Sequence, residues 1–386
     1  MVRASAPDWP SAETAATFAP EMTRDGRDPS DIEPPGPTAR HSMHAAGASA
    51  DAMDNARPGA RVVAVTGAAG FLGSNLIGSL EEDDRIGRVV ALDISPASTA
   101  GRKTRLYDVD LTHPSAESRI AEIFIAERVD TIAHLAFLAS PTHASAWAHE
   151  LESVGTMHVT VAARHAQVRK LVLWSQTWLY GAHPSNPNFL TEKHPLRSPM
   201  SEPYFADKIE AEEQARKLVL RSPAAVVTIL RTAPILGPTV HNAVTRYLAR
   251  KFVPTAMGYD PLVQFLHEVD AVAALHLAVL RDARGTFNVV GEGVLPLSTV
   301  IKLAGRIAAP IPHPIGEAVA ALGWVAQLAD VPPAFVKYLR YVCVADGRRA
   351  REAMGFRSAY TTREALLDFV GAQRLRDVNL LSEKPA

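Results

Sequence analysis

The chain has 386 residues, 47% of them hydrophobic, and a formal net charge of -1. That length supports a large core or two lobes, and near-neutral charge gives no electrostatic reason to expect nucleic acid or an anionic membrane as a partner. The single cysteine, Cys343, excludes an intramolecular disulfide framework and suits a reducing, cytoplasmic setting.

Residues 1–58 are rich in Pro, Ala, Ser, Asp and Met and show no sustained apolar period, so a disordered extension is expected there. They have no apolar core for a signal peptide, and Asp8, Glu13, Glu21, Asp25 and Asp28 argue against a transit peptide. The next stretch, Arg61-Val-Val-Ala-Val-Thr-Gly-Ala-Ala-Gly-Phe-Leu-Gly73, is a buried-type strand running into three glycines. Gly67 allows a tight turn, Gly70 leaves room for a pyrophosphate, and Gly73 lets the following helix lie close to the strand. Free N–H groups at the helix start then face the phosphates. A helix carrying Phe71, Leu72, Leu76, Ile77 and Leu80 supplies the context that a glycine pattern needs to indicate dinucleotide binding.

Arg88 to Asp93 reads as a second strand, ending in an acid about twenty residues past the motif, placed to bond both ribose hydroxyls. This favours NAD over NADP, although Arg102, Lys103 and Arg105 offer an alternative grip for a 2′-phosphate. Further strands are expected at Arg105 to Leu111, Asp130 to Ala136, Lys170 to Thr177 and Ala225 to Leu230. Helices are expected at Ala116 to Arg128, Ala144 to His165 and Glu202 to Leu220. The alternation predicts an α/β fold, a doubly wound parallel (Rossmann) sheet with helices on both faces.

After Gly237-Pro238 the units shorten. A strand is expected at Val263 to Leu266, a helix at Asp270 to Leu280, a strand at Thr286 to Val290 and a helix at Ser298 to Ile307. These suit a smaller, mixed C-terminal substrate lobe over 239–375, interleaved with a dinucleotide-binding domain over 59–238 and followed by a flexible tail at 376–386. The apolar stretch from Ala318 to Val331 is broken by Gln327 and Asp330, too short to span a membrane. With Trp324, Phe335, Tyr338 and Tyr341 it reads first as lobe core, with a pocket wall or a subunit contact as alternatives.

Tyr204-Phe-Ala-Asp-Lys208 opens a helical segment in which phenol and ammonium emerge on one face. A tyrosine is a poor base unless a neighbouring cation favours phenolate, and Lys208 is placed to provide one. Histidines cluster at His143, His149, His158 and His165. Only His158 and His165 share a helix face, and no local carboxylate or cysteine completes a set, so no metal site is expected.

Taken in order, Thr66 to Gly73, Asp93, Asp110-Leu111, His134-Leu-Ala136, Tyr180-Gly181, Tyr204 to Lys208, Leu230-Arg231 with Gly237-Pro238, and Phe265 to Asp270 resemble the extended short-chain dehydrogenase/reductase family, NAD-dependent epimerase/dehydratase type. The resemblance spans about Arg61 to Val370. It implies an enzyme that oxidises or reduces a carbon bearing a hydroxyl or carbonyl, with Tyr204, Lys208, Ser175 and Gln176 as the catalytic set. It also implies a cofactor set of Gly67, Ala69, Gly70, Phe71, Leu72, Gly73, Asp93, Asp110, Leu111, Leu135, Ala136 and Lys208. A homodimer through the helices at Ala144 to His165 and Glu202 to Leu220 is a further implication.

Departures from the family pattern bear on the substrate. The usual Ser or Thr four residues before Tyr-Gly is Gln176, flanked by Ser175 and Thr177, and the usual Asn before Gly-Thr is Glu152. Sugar-nucleotide epimerases of this type carry an Arg where this chain has Val263 and an Asn where it has Pro234. The expectation is therefore an epimerase/dehydratase-type oxidoreductase for a small-molecule substrate. That substrate is a sugar nucleotide, or the enzyme is a simple reductase of an apolar alcohol or ketone. A non-catalytic dinucleotide sensor is the reading from another class.

Overall fold

The computed structural model describes residues 60–312 and 315–382, with side chains described as far as Arg376. The expected extension at 1–58 lies outside the described residues. In chain order the core begins with β1 (Arg61–Thr66), α1 (Phe71–Glu81), β2 (Ile86–Asp93), β3 (Thr104–Asp108), α2 (Ala116–Ala126) and β4 (Thr131–His134). Next come α3 (Ser145–His149), a π-helical turn (Glu150–Val154), α4 (Gly155–His165), β5 (Lys170–Gln176), a 3₁₀ turn (Thr177–Tyr180), α5 (Pro203–Arg221) and β6 (Val226–Thr232). Later elements are β7 (Ile235–Leu236), α6 (Ala243–Ala249), β8 (Phe252–Ala256), β9 (Leu262–Val263), β10 (Leu266–His267), α7 (Glu268–Leu280) and β11 (Gly285–Val289). The chain closes with β12 (Leu295–Pro296), α8 (Leu297–Leu303), β13 (Ile307–Ile311), α9 (Ile315–Val325), a 3₁₀ turn (Pro333–Leu339) and α10 (Thr362–Ser382).

Seven strands form one parallel sheet in the order β11-β6-β5-β4-β1-β2-β3. The order reverses direction at β1, between β2 and β4. Open parallel sheets bind ligands at such a switch point, outside the carboxyl ends of the strands. Val63, Ala64 and Val65 are fully buried because helices cover both faces. On one side α1 packs against α7 through Leu76, Ile77 and Leu80, with Ala271, Ala274 and Leu275 opposite. Truncating any of those three α1 residues to alanine should cost about 3 kcal/mol. On the other side α2, α4 and α5 pack through Ile120, Phe124, Val159, Ala162, Ala215 and Leu218. Elements beyond residue 238 also join this core, since β11 pairs with β6 and α7 lies on α1.

Several element boundaries differ from expectation for local reasons. The strand expected to reach Leu111 ends at Asp108, and Asp110 instead turns the chain by accepting the Thr112 N–H at 2.9 Å. Val263 to Leu266 is two short strands, because β9 pairs with β12 while β10 pairs with β7. The helix expected to reach Ile307 stops at Leu303, where Gly305 at φ 67° turns the chain into β13. The helix from Ala144 is opened by the π turn, an irregularity that turns Glu152 into the protein interior. Of the stretch expected as a tail, residues 376–382 continue α10, and residues 383–386 lie outside the described residues.

Candidate active site

The glycine loop leaves β1 at the switch point. Gly67 has φ 67°, and a Cβ there would lie 2.8 Å from the Ala136 Cα and N, so the loop rests directly on the backbone leaving β4. A Cβ on Gly73 would run into the Gly67 carbonyl oxygen and come within 2.8 Å of the Ala68 Cα. Gly70 is the N-cap of α1, with Phe71 and Leu72 forming its first turn. Asp93, at the end of β2, accepts the Ala69 N–H at 3.0 Å, which brings the acid against the loop. Leu135 closes the same floor by donating its N–H to the Thr66 carbonyl at 3.2 Å. A dinucleotide fits this cradle: Gly67, Gly70 and Gly73 would hold its pyrophosphate and Asp93 a ribose.

Two of the three residues that offered an alternative grip for a 2′-phosphate, Lys103 and Arg105, are engaged elsewhere. The Lys103 ammonium donates to the Asp83 carbonyl at 2.8 Å, and Arg105 pairs with Glu127 at 2.8 Å. Asp110 is committed to its own turn, and Leu111 packs beneath Gly155 at the start of α4. His134 ties the floor together, with Nδ1 2.6 Å from the Thr66 hydroxyl and Nε2 2.8 Å from the Thr156 hydroxyl. Burial pushes its imidazole down to about 3, so it is a neutral brace.

Tyr204 and Lys208 emerge together on α5, as their spacing predicts, with the Lys208 Nζ 3.9 Å from the Tyr204 ring centroid. The Tyr204 hydroxyl donates to the Gln176 Oε1 at 3.2 Å. The other end of that amide, Nε2, is buried and without a hydrogen-bond partner among the described residues. An amide donor left unpaired beside a phenol is costly to keep and is suited to receive a ligand oxygen.

Two expectations are corrected. Ser175 is not beside Tyr204. It shares the face of Leu173 that packs on α5, and its hydroxyl donates to the Glu212 Oε1 at 2.6 Å. Glu212 is also gripped by Arg231 through bonds of 2.8 and 2.6 Å, making a buried polar network one helical turn beyond Lys208. Nor does Lys208 favour phenolate at Tyr204. Its Nζ lies 2.7 Å from both oxygens of Glu152, which also accepts the Leu138 N–H at 2.6 Å. Burial pushes the Glu152 carboxyl up and the Lys208 ammonium down, and each keeps the other charged. Tyr204 is pushed well above its usual range, first by burial and then by the Glu152 charge.

Two cavities flank this constellation. One, about 280 Å³, is bordered by Leu138, Thr142, Glu152, Tyr204 and Trp324. The other, about 390 Å³, is apolar and has Val263, Pro234, Trp178, Phe335 and Tyr338 in its wall. The Phe335 ring joins the two, standing 5.7 Å from that of Tyr204. These aromatic walls were expected as lobe core. Phe335 and Tyr338 are indeed buried, but α9 has no buried residue.

The role of Glu152 was hidden in the sequence, where it showed only as a missing Asn. Lys208 is too distant along the chain for spacing to announce the pair. A trio was missed for the same reason. His149 on α3 bonds Asp207 on α5 at 2.7 Å, and Glu210 completes a group with ligand atoms within 4.8 Å of one another. Among the described residues, no helix is long and apolar enough to cross a membrane.

The profile of the NAD dependent epimerase/dehydratase family matches residues 63–290. An uncharacterized protein of Mycobacterium tuberculosis is 35% identical over 325 residues, 82% of this chain and 85% of its own length. The 3-diazoavenalumate denitrifying reductase of a Streptomyces species is 30% identical over 275 residues, 68% of this chain and 87% of its own. Among solved structures, the UDP-glucose 4-epimerase of Thermus thermophilus in complex with NAD superposes with a TM-score of 0.62 at 20% identity, over 81% of this chain and 99% of that one. Glycine cradle, strand-end acid and Tyr-Lys helix thus converge with these likenesses: the chain belongs to the NAD-dependent epimerase/dehydratase family of oxidoreductases, and NAD is its cofactor.

Proposed function

We propose that this enzyme uses NAD to reduce a carbonyl carbon on a substrate with an apolar body. The observation that carries the reading is the apolar cavity with Val263 and Pro234 in its wall. Neither residue can grip a diphosphate, and a hydrophobic molecule would gain roughly 25 cal/mol for each Å² it buries there.

When bound in its reduced form, NADH would supply the hydride and be oxidised to NAD+. This chain's residues manage the substrate oxygen. Gln176 donates its unpaired Nε2–H to that oxygen and polarises it. Tyr204 releases its hydroxyl proton to the same oxygen as negative charge develops there. A phenol held protonated across the working pH range is ready to act as an acid in every turnover. The opposite role, as a base, would first require ionisation beside the Glu152 carboxylate. Glu152 therefore keeps the resting phenol protonated, Lys208 anchors Glu152 under the ring, and the phenolate left after proton transfer takes a proton from solvent before the next turnover.

The test follows NADH absorbance while purified protein is offered apolar ketones and aldehydes in parallel with UDP-sugars, with product analysis for redox-neutral turnover. Expected are NADH consumption with apolar carbonyls and its loss in Tyr204→Phe. Redox-neutral conversion of a UDP-sugar, with no reduction of any apolar carbonyl, would overturn the reading in favour of sugar-nucleotide epimerisation.

A further inference from the structure

The α9 segment, Ile315-Gly-Glu-Ala-Val-Ala-Ala-Leu-Gly-Trp-Val325, is apolar all round apart from Glu317. A helix of that kind belongs inside a core or against an apolar phase. Here one side borders the apolar cavity through Gly316, Ala320 and Gly323. The other side carries Ile315, Leu322 and Val325, exposed by 54%, 71% and 81%. Spacings of seven and three residues place these on a single stripe. Val319 and Leu328 belong to both surfaces, lining the cavity while remaining 53% and 84% exposed. They mark the cavity mouth, which opens onto the stripe.

We propose that this stripe docks on an anionic lipid surface and that the cavity takes its ligand from that surface. The proposal rests on the apolar substrate reading above. Three observations favour a bilayer over a protein partner. A protein seated on Leu322 and Val325 would also cover Val319 and Leu328 and stopper the mouth, whereas a lipid phase both satisfies the stripe and supplies an apolar ligand. The charges around the helix are also biased. Arg340 faces Glu317, and Arg246 and Arg250 both face Asp330, while the exposed Lys337 adds a further cation, so the cations around the helix outnumber these acids. Finally, α9 has 11 residues, too short to span a bilayer core but suited to lie in its interface. The near-zero net charge of the whole chain conceals this local basic, apolar face.

The experiment is co-sedimentation of the full chain with phosphatidylcholine vesicles, with and without phosphatidylglycerol, and no enzyme substrate present. Wild type is expected to sediment with the mixed vesicles, less so as salt rises. Leu322→Asp combined with Val325→Asp should weaken partitioning at least about ten-fold. Retained NAD-dependent thermal stabilisation confirms that the variant folds, and Leu322→Ser with Val325→Ser serves if it does not. Partitioning unchanged by these substitutions, or absent from both vesicle types, would overturn the proposal. So would a concentration-dependent dimer that the same substitutions abolish, which would assign the stripe to a second copy. Because no turnover is read, failure here leaves the carbonyl-reduction reading standing, and failure of that reading leaves the vesicle result interpretable.

Discussion

Replacing Glu152 by Asn should let the Tyr204 phenol ionise at lower pH than in the wild type, although burial still holds it above the ordinary tyrosine range. In the wild type the Lys208 Nζ stands 2.7 Å from both Glu152 oxygens and 3.9 Å from the centre of the Tyr204 ring. Those separations put the carboxylate charge within about 7 Å of the ring, where an effective dielectric constant of about 20 gives on the order of 2 kcal/mol. That corresponds to a titration midpoint roughly 1.5 pH units lower for Tyr204 in the variant. Lys208, released from its partner, pulls in the same direction. The assay is a pH titration of tyrosinate absorbance in the near ultraviolet. The chain carries 8 tyrosines, so the signal of Tyr204 must be isolated by subtracting the curve of the Glu152→Asn/Tyr204→Phe double variant. Removing one partner of a buried ion pair costs about 3 kcal/mol or more, so folding is checked first, with Glu152→Gln as the gentler change. A difference curve in which no tyrosine ionises earlier than in wild type would refute this coupling of Glu152 to Tyr204.

Gly73→Ala should abolish NAD binding and lower stability, since its Cβ would meet the Gly67 carbonyl oxygen; isothermal calorimetry with NAD reads the first effect and thermal unfolding the second. Ser175→Ala should cost about 1–2 kcal/mol in urea denaturation and leave turnover unchanged, because its hydroxyl serves the buried Glu212; a large loss of kcat with unchanged stability would return Ser175 to the catalytic set. His134 should contribute to acid lability. Its folded value of about 3 lies below the unfolded value of 6.5, so the unfolded chain binds the extra proton between those limits and stability falls as pH drops from about 6.5 toward 3. Over that window His134→Gln should lose less stability than wild type, measured by denaturant midpoints at stepped pH; parallel curves would refute the assignment.

The cofactor half of the molecule was legible in the sequence because its signals are local. Gly67 to Gly73 requires only a strand before and a helix after, and Asp93 follows at a fixed interval, so β1, α1 and β2 lie where expected. The Tyr204-Lys208 pair is equally local, one turn of one helix. What surrounds it is not. Gln176 and Ser175 are neighbours in sequence, and only the pleat of β5 and the seat of Glu212 decide which of them meets Tyr204. Glu152 reaches Lys208 across helices and through an irregular turn, so its charge could be read but not its partner. Val263 and Pro234 read only as absences of an Arg and an Asn, and the fold brings them into one wall. The failure at α9 is of a different kind, since apolar composition alone cannot tell a buried helix from an exposed one.

The Gln176 amide has one further consequence. A serine or threonine hydroxyl can swap between giving and receiving a proton by rotating a single bond, so a site built on one can serve a ketone and an alcohol alike. An amide has its giving and receiving ends fixed on separate atoms. With the Tyr204 hydroxyl turned toward Oε1, the remaining end can only give, and an incoming alcohol would have to present its lone pairs and find another home for its hydrogen. The polarity of a single side chain thereby fixes how an incoming oxygen must present itself, while the net direction of turnover stays with the substrate and cofactor ratios.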